Sequence, residues 1–248
     1  MEIICDTHIW YNLGRGMIDN SKIKENDILV ATHLSIYELC FTENYLGNFE
    51  DTQNAVRAMF KYSAKNAIFE PPFAYLKVVS DRNYVYDIHQ HSNIFKFSEK
   101  IAQGYSIEKT EEFASEVKAR KHELEEMTNF CNECVQNQIK PNIKNKENHR
   151  KENSILLNRQ LINQLVAMQT KSDGLSVDFD WKRIELFEQV LKLYFNELET
   201  GAKMAKPNDW FDLFLLLYVN PNRKIWTREG YWKQLIKQAG FEEYLYEK

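Results

Sequence analysis

The sequence predicts an α/β fold in which the two ends of the chain build one parallel sheet. Short apolar runs of strand length occur near both termini, and apolar residues at helical spacing follow them. Strands that alternate with helices imply parallel pairing with right-handed crossovers. The 248 residues include 15 Phe, 13 Tyr and 5 Trp, which supply enough large apolar surface for a substantial core.

The first forty residues predict two strands, each followed by a helix or a helix start. Residues 2–6 form a short apolar run that ends in Asp6, which places this acid at the carboxyl end of a buried strand. Residues 27–31 form a second run, and apolar residues then recur at helical spacing. Thr32 or Ser35 is the expected N-cap of this second helix, since each offers a hydroxyl near its start.

The middle of the chain predicts a mainly helical insertion at residues 49–201. Its long helix-forming stretches are 107–138, 155–170 and 181–199. Residues 139–151 interrupt them with Pro, Asn and basic side chains. We therefore expect a single domain whose core comes from about residues 1–48 and 202–248.

The last fifty residues predict the same alternation as the first forty. Residues 207–209 resemble a helix start with Asn208 or Asp209 as the cap, and the almost wholly apolar run 211–219 is typical of a buried helix. Residues 224–227 then predict a short strand, 230–239 a helix, and 244–246 a candidate last strand.

Composition excludes several classes of protein. A formal net charge of −4 gives no global basic field, so a contact with nucleic acid needs a local patch or a metal ion. Four scattered cysteines favour a reducing compartment, and no apolar run reaches the length of a membrane span. Acids at positions 2 and 6 are wrong for a signal peptide, so we expect a cytoplasmic protein. Motifs for ATP, dinucleotides and esterase nucleophiles are absent.

Five acids occupy positions where a parallel sheet would bring them together. Asp6 and Glu229 follow strands, Glu38 lies in a helix after the second strand, and Asp209 and Asp212 share one face of a helix start. Clustered carboxylates raise one another's pKa unless a cation neutralises them. Oxygen ligands suit Mg²⁺ or Mn²⁺, which can assist the hydrolysis of a phosphodiester.

Four motifs resemble those of PIN-domain nucleases. They are Ile3–Thr7 (an apolar strand ending in Asp-Thr), Ser35–Glu38, Asn208–Asp212 and Ile225–Glu229. The resemblance covers roughly residues 1–45 and 205–248. It implies a PIN-like three-layer α/β/α fold with a central parallel sheet of four or five strands. It also implies a Mg²⁺- or Mn²⁺-dependent endonuclease, usually acting on RNA, as in toxin- or defence-type ribonucleases.

The resemblance assigns roles to these residues and has two departures. The acids Asp6, Glu38, Asp209, Asp212 and Glu229 would be catalytic metal ligands, supported by the hydroxyls of Thr7, Ser35 and Thr227. Position 8 is His where the family has Asn, and Glu229 stands where the family has Asp. Asp212 is the better ligand candidate by its spacing to the Thr227 motif, whereas Asp209 can instead cap the helix. Both acids are kept as candidate ligands.

The expected partners are an RNA substrate and no membrane. The basic side chains of the 139–151 stretch are the candidate RNA contact: Lys140, Lys144, Lys146, Arg150 and Lys151. The helical insertion is a candidate surface for a protein partner or inhibitor, and the resemblance makes a homodimer a candidate assembly. Cys131 and Cys134 have no second Cys or His pair at zinc spacing, so we expect ordinary core or surface cysteines and not a zinc site. We expect His89 and His91 to be an ordinary exposed pair.

Two alternatives remain from the sequence. The His8 and Glu229 departures favour a catalytically decayed PIN-like module that binds or scaffolds a partner. A nuclease acting on DNA is the other alternative.

Overall fold

A parallel sheet of three strands lies at the centre of the computed structural model, which describes residues 1–19, 21, 23–63, 66–87, 92–104, 111–134 and 147–247. Its order is β2-β1-β3, with β1 at Glu2–Cys5, β2 at Ile28–Val30 and β3 at Arg223–Trp226. In register, Ile4 lies opposite Val30 on one side and Ile225 on the other. The two ends of the chain therefore pair in one parallel sheet, as the sequence predicts.

Single parallel bridges extend the sheet at both edges. Ile68 pairs with Thr32 beyond β2, and Leu245 pairs with Ile225 beyond β3. The expected last strand at 244–246 is thus reduced to one bridge after a short 3-10 turn. The described residues form three strands where the sequence predicted four or five.

Helices make up most of the remaining described chain. The α-helices are α1 (Thr7–Gly14), α2 (His33–Cys40), α3 (Glu43–Gly47), α4 (Phe49–Ser63), α5 (Pro72–Ser80), α6 (Ser92–Ala102), α7 (Glu111–Cys134), α8 (Glu147–Thr170), α9 (Glu185–Thr200), α10 (Asp209–Leu215) and α11 (Gly230–Gln238). Short 3-10 helices occur at Trp181–Ile184, Leu216–Tyr218 and Glu242–Tyr244. Within the described ranges, none of these helices is both long and apolar enough to cross a bilayer.

The start of α8 corrects one expectation. Residues 147–151 belong to this helix, although the sequence predicted a break through residue 151. The reason is local, because Glu, Arg and Lys in this stretch favour a helix. Residues 135–146 lie outside the described ranges.

Helices cover both faces of the sheet. Side chains alternate along a strand, and successive residues of β1 accordingly belong to two hydrophobic clusters. Ile3 packs in the cluster that contains Met59 of α4, and Ile4 packs in the cluster that contains Phe187 of α9. Both clusters therefore include residues from 49–201, and the division into a core and an insertion stays a prediction.

Helices α1 and α4 make an unusually close contact. Gly14, the last residue of α1, lies so near α4 that a Cβ at this position would be 2.5 Å from the backbone carbon of Asn54. Only glycine permits this approach without displacing a backbone. The contact holds α1 against a helix of the middle segment.

Candidate metal centre

Asp6 lies where the sequence places it, directly after β1. Its side chain caps α1 by accepting from the backbone N–H of His8 at 3.3 Å. Its other carboxylate oxygen accepts from the Thr227 hydroxyl at 2.7 Å. The residue is only 3% exposed, so two donors from opposite ends of the chain hold a buried carboxylate in one orientation.

Glu38 lies in the same region because the first turn of α2 is fixed to the end of β1. Thr32 is the N-cap of this helix, since its hydroxyl accepts from the Ser35 N–H at 3.2 Å. The Ser35 hydroxyl donates to the carbonyl of Cys5 at 3.1 Å, which fixes α2 to the end of β1. Thr7 then donates its hydroxyl to the Glu38 carboxylate. Ser35 thus positions the helix, whereas Thr7 contacts one of the predicted ligands.

The two acids of α10 have different surroundings. Asp209 forms an ion pair with Lys203 at 3.2 Å and accepts from the Tyr194 hydroxyl at 3.0 Å. Asp212 accepts a hydrogen bond from the indole N–H of Trp232 at 2.9 Å. Asp209 is therefore paired with a lysine, whereas no ion pair with Lys or Arg is formed by Asp212 among the described residues.

Glu229 follows β3 and faces His8. Its backbone N–H donates to the Thr227 hydroxyl at 3.1 Å, so Thr227 connects this loop to Asp6. Its carboxylate lies 3.4 Å from Nδ1 of His8. The neighbouring Arg228 is exposed, and the described partner of Glu229 is His8.

The acids share one electrostatic environment. Burial raises the pKa of Asp212 to about 9, and the charges of Asp6, Glu229 and Glu38 add to this rise. Burial likewise raises the pKa of Glu38 to about 7, with Asp6 and Glu229 again contributing. The pKa of Asp6 is raised as well, mainly by burial. Within the described ranges, no Lys or Arg forms an ion pair with these three acids.

His8 and Glu229 stabilise each other's charged form. The hydrogen bond to Glu229 is the main reason why the pKa of His8 rises to about 9. The same bond lowers the pKa of Glu229, and Lys203 contributes to this effect at longer range. Both side chains are therefore charged at neutral pH in the metal-free protein.

The donor set fits a divalent cation. Asp6, His8 and Glu229 each offer one ligand atom, and these atoms lie within 4.8 Å of one another. Glu38 and Asp212 add two carboxylates whose charges are coupled to this group. Sequence reasoning did not include His8 among the candidate ligands and treats it only as a departure from the family pattern. The available signal was its position two residues after Asp6, in the first turn of α1.

Several predicted residues lie outside the described part of the structure. Lys140, Lys144 and Lys146 of the candidate RNA contact do so, as do His89 and His91. Arg150 and Lys151 belong to α8, and Cys131 and Cys134 to α7, but their side chains are outside the description. The predictions about them stay predictions.

The chain matches no protein-family model, no curated protein and no solved structure. Its function is therefore inferred from the chemistry of the site.

Proposed function

We propose that this chain is a divalent-metal-dependent endonuclease that hydrolyses phosphodiester bonds in RNA. One observation carries the proposal: the carboxylates of Asp6, Glu38, Asp212 and Glu229, which come from four separate segments, are electrostatically coupled at one end of the sheet. Three of them have raised pKa values and no described ion pair with Lys or Arg. Such an arrangement is unfavourable without a cation, and oxygen-rich clusters suit Mg²⁺ or Mn²⁺.

The proposal includes a PIN-like three-layer α/β/α fold. The single bridges at Ile68 and Leu245 mark the positions where a fourth and a fifth strand would extend the sheet. Helices on both faces of the sheet support the three layers. A toxin- or defence-type ribonuclease in the cytoplasm is the biological setting that we propose, and the free buried thiols of Cys5 and Cys40 agree with a reducing compartment.

The residues of the chain have distinct roles in this mechanism. Asp6, Glu38, Asp212 and Glu229 would hold the cation, and Thr227 and Thr7 keep the carboxylates of Asp6 and Glu38 oriented. A divalent cation supplies a Lewis acid and lowers the pKa of water near the scissile phosphate. Ser35 acts indirectly, because its bond to the Cys5 carbonyl sets the position of α2.

The acidity of the site also bears on substrate binding. Ionised carboxylates repel a polyanion, so cations that compensate their charge would favour the approach of RNA. The basic side chains at positions 140, 144, 146, 150 and 151 are our proposed contact for the RNA backbone. The helices of residues 49–201 would select the substrate or bind a protein inhibitor, and a homodimer is the assembly we propose.

Cleavage of labelled RNA by Asp6→Asn tests this function. Asparagine keeps the size of the side chain and an acceptor for Thr227, so the variant should fold but lose at least about 100-fold in cleavage rate with Mg²⁺ or Mn²⁺. Asp178→Asn is the matched control, because Asp178 is exposed in the connector before α9. An unchanged rate in a folded Asp6→Asn protein would refute the proposal. DNA of the same sequence, assayed in parallel, decides between RNA and DNA.

The ion pair of His8 and Glu229 favours a second candidate, a decayed PIN-like module that binds or scaffolds a partner. The histidine partly neutralises the site in the absence of a metal. Calorimetry would then detect no binding of Mg²⁺ or Mn²⁺. Single-turnover cleavage of RNA would exclude this candidate.

A further inference from the structure

His8 lies close to two carboxylates, which distinguishes it from an ordinary surface histidine. It is the second residue of α1, the helix that Asp6 caps, so the two side chains start from adjacent points of one helix end. Glu229 approaches from the loop after β3. One end of a helix and one loop after a strand thus bring a nitrogen and two carboxylate oxygens within 4.8 Å of one another.

The distances agree with a shared ion. His8 Nδ1 and the nearer Glu229 oxygen are 3.4 Å apart. Two neighbouring ligand atoms held about 2.1 Å from one cation are separated by about 3.0 Å in an octahedral arrangement and by about 3.4 Å in a tetrahedral one. An ion bound by this pair would therefore require little movement of either side chain, and it would displace the proton between His8 and Glu229 into the solvent.

The three residues differ in their exposure to solvent. The side chain of His8 is 63% exposed and that of Glu229 is 34% exposed, whereas Asp6 is buried. A hydrated ion can thus reach the histidine and the glutamate from solvent. The buried carboxylate of Asp6, held by Thr227, is available as the third ligand.

We propose that His8 is a ligand of the divalent cation, together with Asp6 and Glu229, and that this mixed set selects Mn²⁺ or another transition-metal ion over Mg²⁺. Mg²⁺ prefers oxygen ligands and keeps several waters, whereas imidazole nitrogen suits transition metals. The inference rests on the proposed function for the role of the cation. It concerns a residue that the family resemblance treats as a departure.

The experiment detects the nitrogen ligand directly. Mn²⁺ is added to the full-length protein, and pulsed electron paramagnetic resonance measures ¹⁴N coupling to the ion, while calorimetry gives the affinities for Mn²⁺ and Mg²⁺. We expect ¹⁴N coupling in the wild type and its loss in His8→Asn. The variant should also bind Mn²⁺ about tenfold more weakly, with a smaller effect on Mg²⁺, because it lacks only the nitrogen donor.

The chain offers a matched control. His122 and Glu126 form another exposed histidine–glutamate pair, with 3.3 Å between Nε2 and the carboxylate. The metal-candidate groups found among the described residues do not include this pair. His122→Asn should therefore keep the ¹⁴N coupling and the Mn²⁺ affinity of the wild type.

The outcomes separate this inference from the proposed function. A wild-type protein that binds Mn²⁺ without ¹⁴N coupling, or a His8→Asn protein with unchanged Mn²⁺ affinity, overturns the assignment of His8. If such a protein still cleaves RNA, the proposed function stands without it. If ¹⁴N coupling is present but no RNA is cleaved, the ligand assignment stands and the endonuclease is refuted.

Discussion

Replacing Asp212 with asparagine should stabilise the metal-free protein, whereas the same change at Asp209 should destabilise it. The two acids lie three residues apart on α10. Burial and the charges of Asp6, Glu229 and Glu38 destabilise the ionised carboxylate of Asp212. A neutral amide at this position removes that destabilisation. Asp209 instead compensates the charge of Lys203, which the amide cannot do.

The magnitudes follow from the surroundings of each acid. The pKa of Asp212 rises from 3.8 to about 9 on folding, so the folded state binds the proton more tightly and stability falls as the pH rises between these values. At pH 7 the full effect is about 4 kcal/mol, which hydration of the partly exposed carboxylate reduces to about 2–4 kcal/mol. Removing Asp209 from its buried pair should cost about 3 kcal/mol.

Thermal and urea unfolding in EDTA at pH 5, 7 and 8.5 measures both effects. Each kcal/mol corresponds to about 2–4 °C in Tm for a chain of this size. The gain from Asp212→Asn should be small at pH 5 and larger at pH 8.5, since the cost that it removes grows over this range. A destabilised Asp212→Asn protein at pH 7, or a gain that does not change with pH, would refute the reasoning. Excess Mn²⁺ should stabilise the wild type more than this variant.

Three further substitutions test how the site is positioned. Thr227→Val removes the hydroxyl that donates to Asp6, so calorimetry should show a Mn²⁺ affinity about tenfold lower, and an unchanged affinity would contradict that role. Ser35→Ala should lower the free energy of urea unfolding by about 1–3 kcal/mol, because it leaves the buried carbonyl of Cys5 without its hydroxyl donor. A loss below about 0.5 kcal/mol is typical of a surface substitution and would argue against this bond. Gly14→Ala should lower Tm through the clash with Asn54, at a cost of about 1–3 kcal/mol, and an unaltered Tm would show that α1 and α4 can separate freely.

Much of the site could be predicted because a parallel sheet places the ends of its strands at one edge. Asp6 follows a strand in the sequence and in the structure, and Glu38 lies in the helix after the next one. The pairing of β1 with β3 then brings the loop of Glu229 to the same place. The short apolar runs were sufficient to predict this meeting of the three segments, since right-handed crossovers leave few ways to arrange parallel strands in a sheet.

Other features depend on contacts that no local pattern contains. The different surroundings of Asp209 and Asp212 depend on Lys203, which lies in the connection before α10 and meets Asp209 only through packing. The contact of His8 with Glu229 joins two residues that are 221 positions apart in the chain. The last strand was predicted too long because a 3-10 turn at Glu242–Tyr244 leaves a single residue to pair.

The hydrogen bond between Thr227 and Asp6 joins residues separated by 221 positions. A ribosome therefore has to synthesise Thr227 before this link can form. Asp212 and Glu229 likewise emerge after Asp6 and Glu38, so a product that stops before residue 212 carries the first two acids without the other two. Under the proposed function, a potentially harmful activity would arise only after these later residues have left the ribosome, and shorter fragments would be harmless to the cell that makes them.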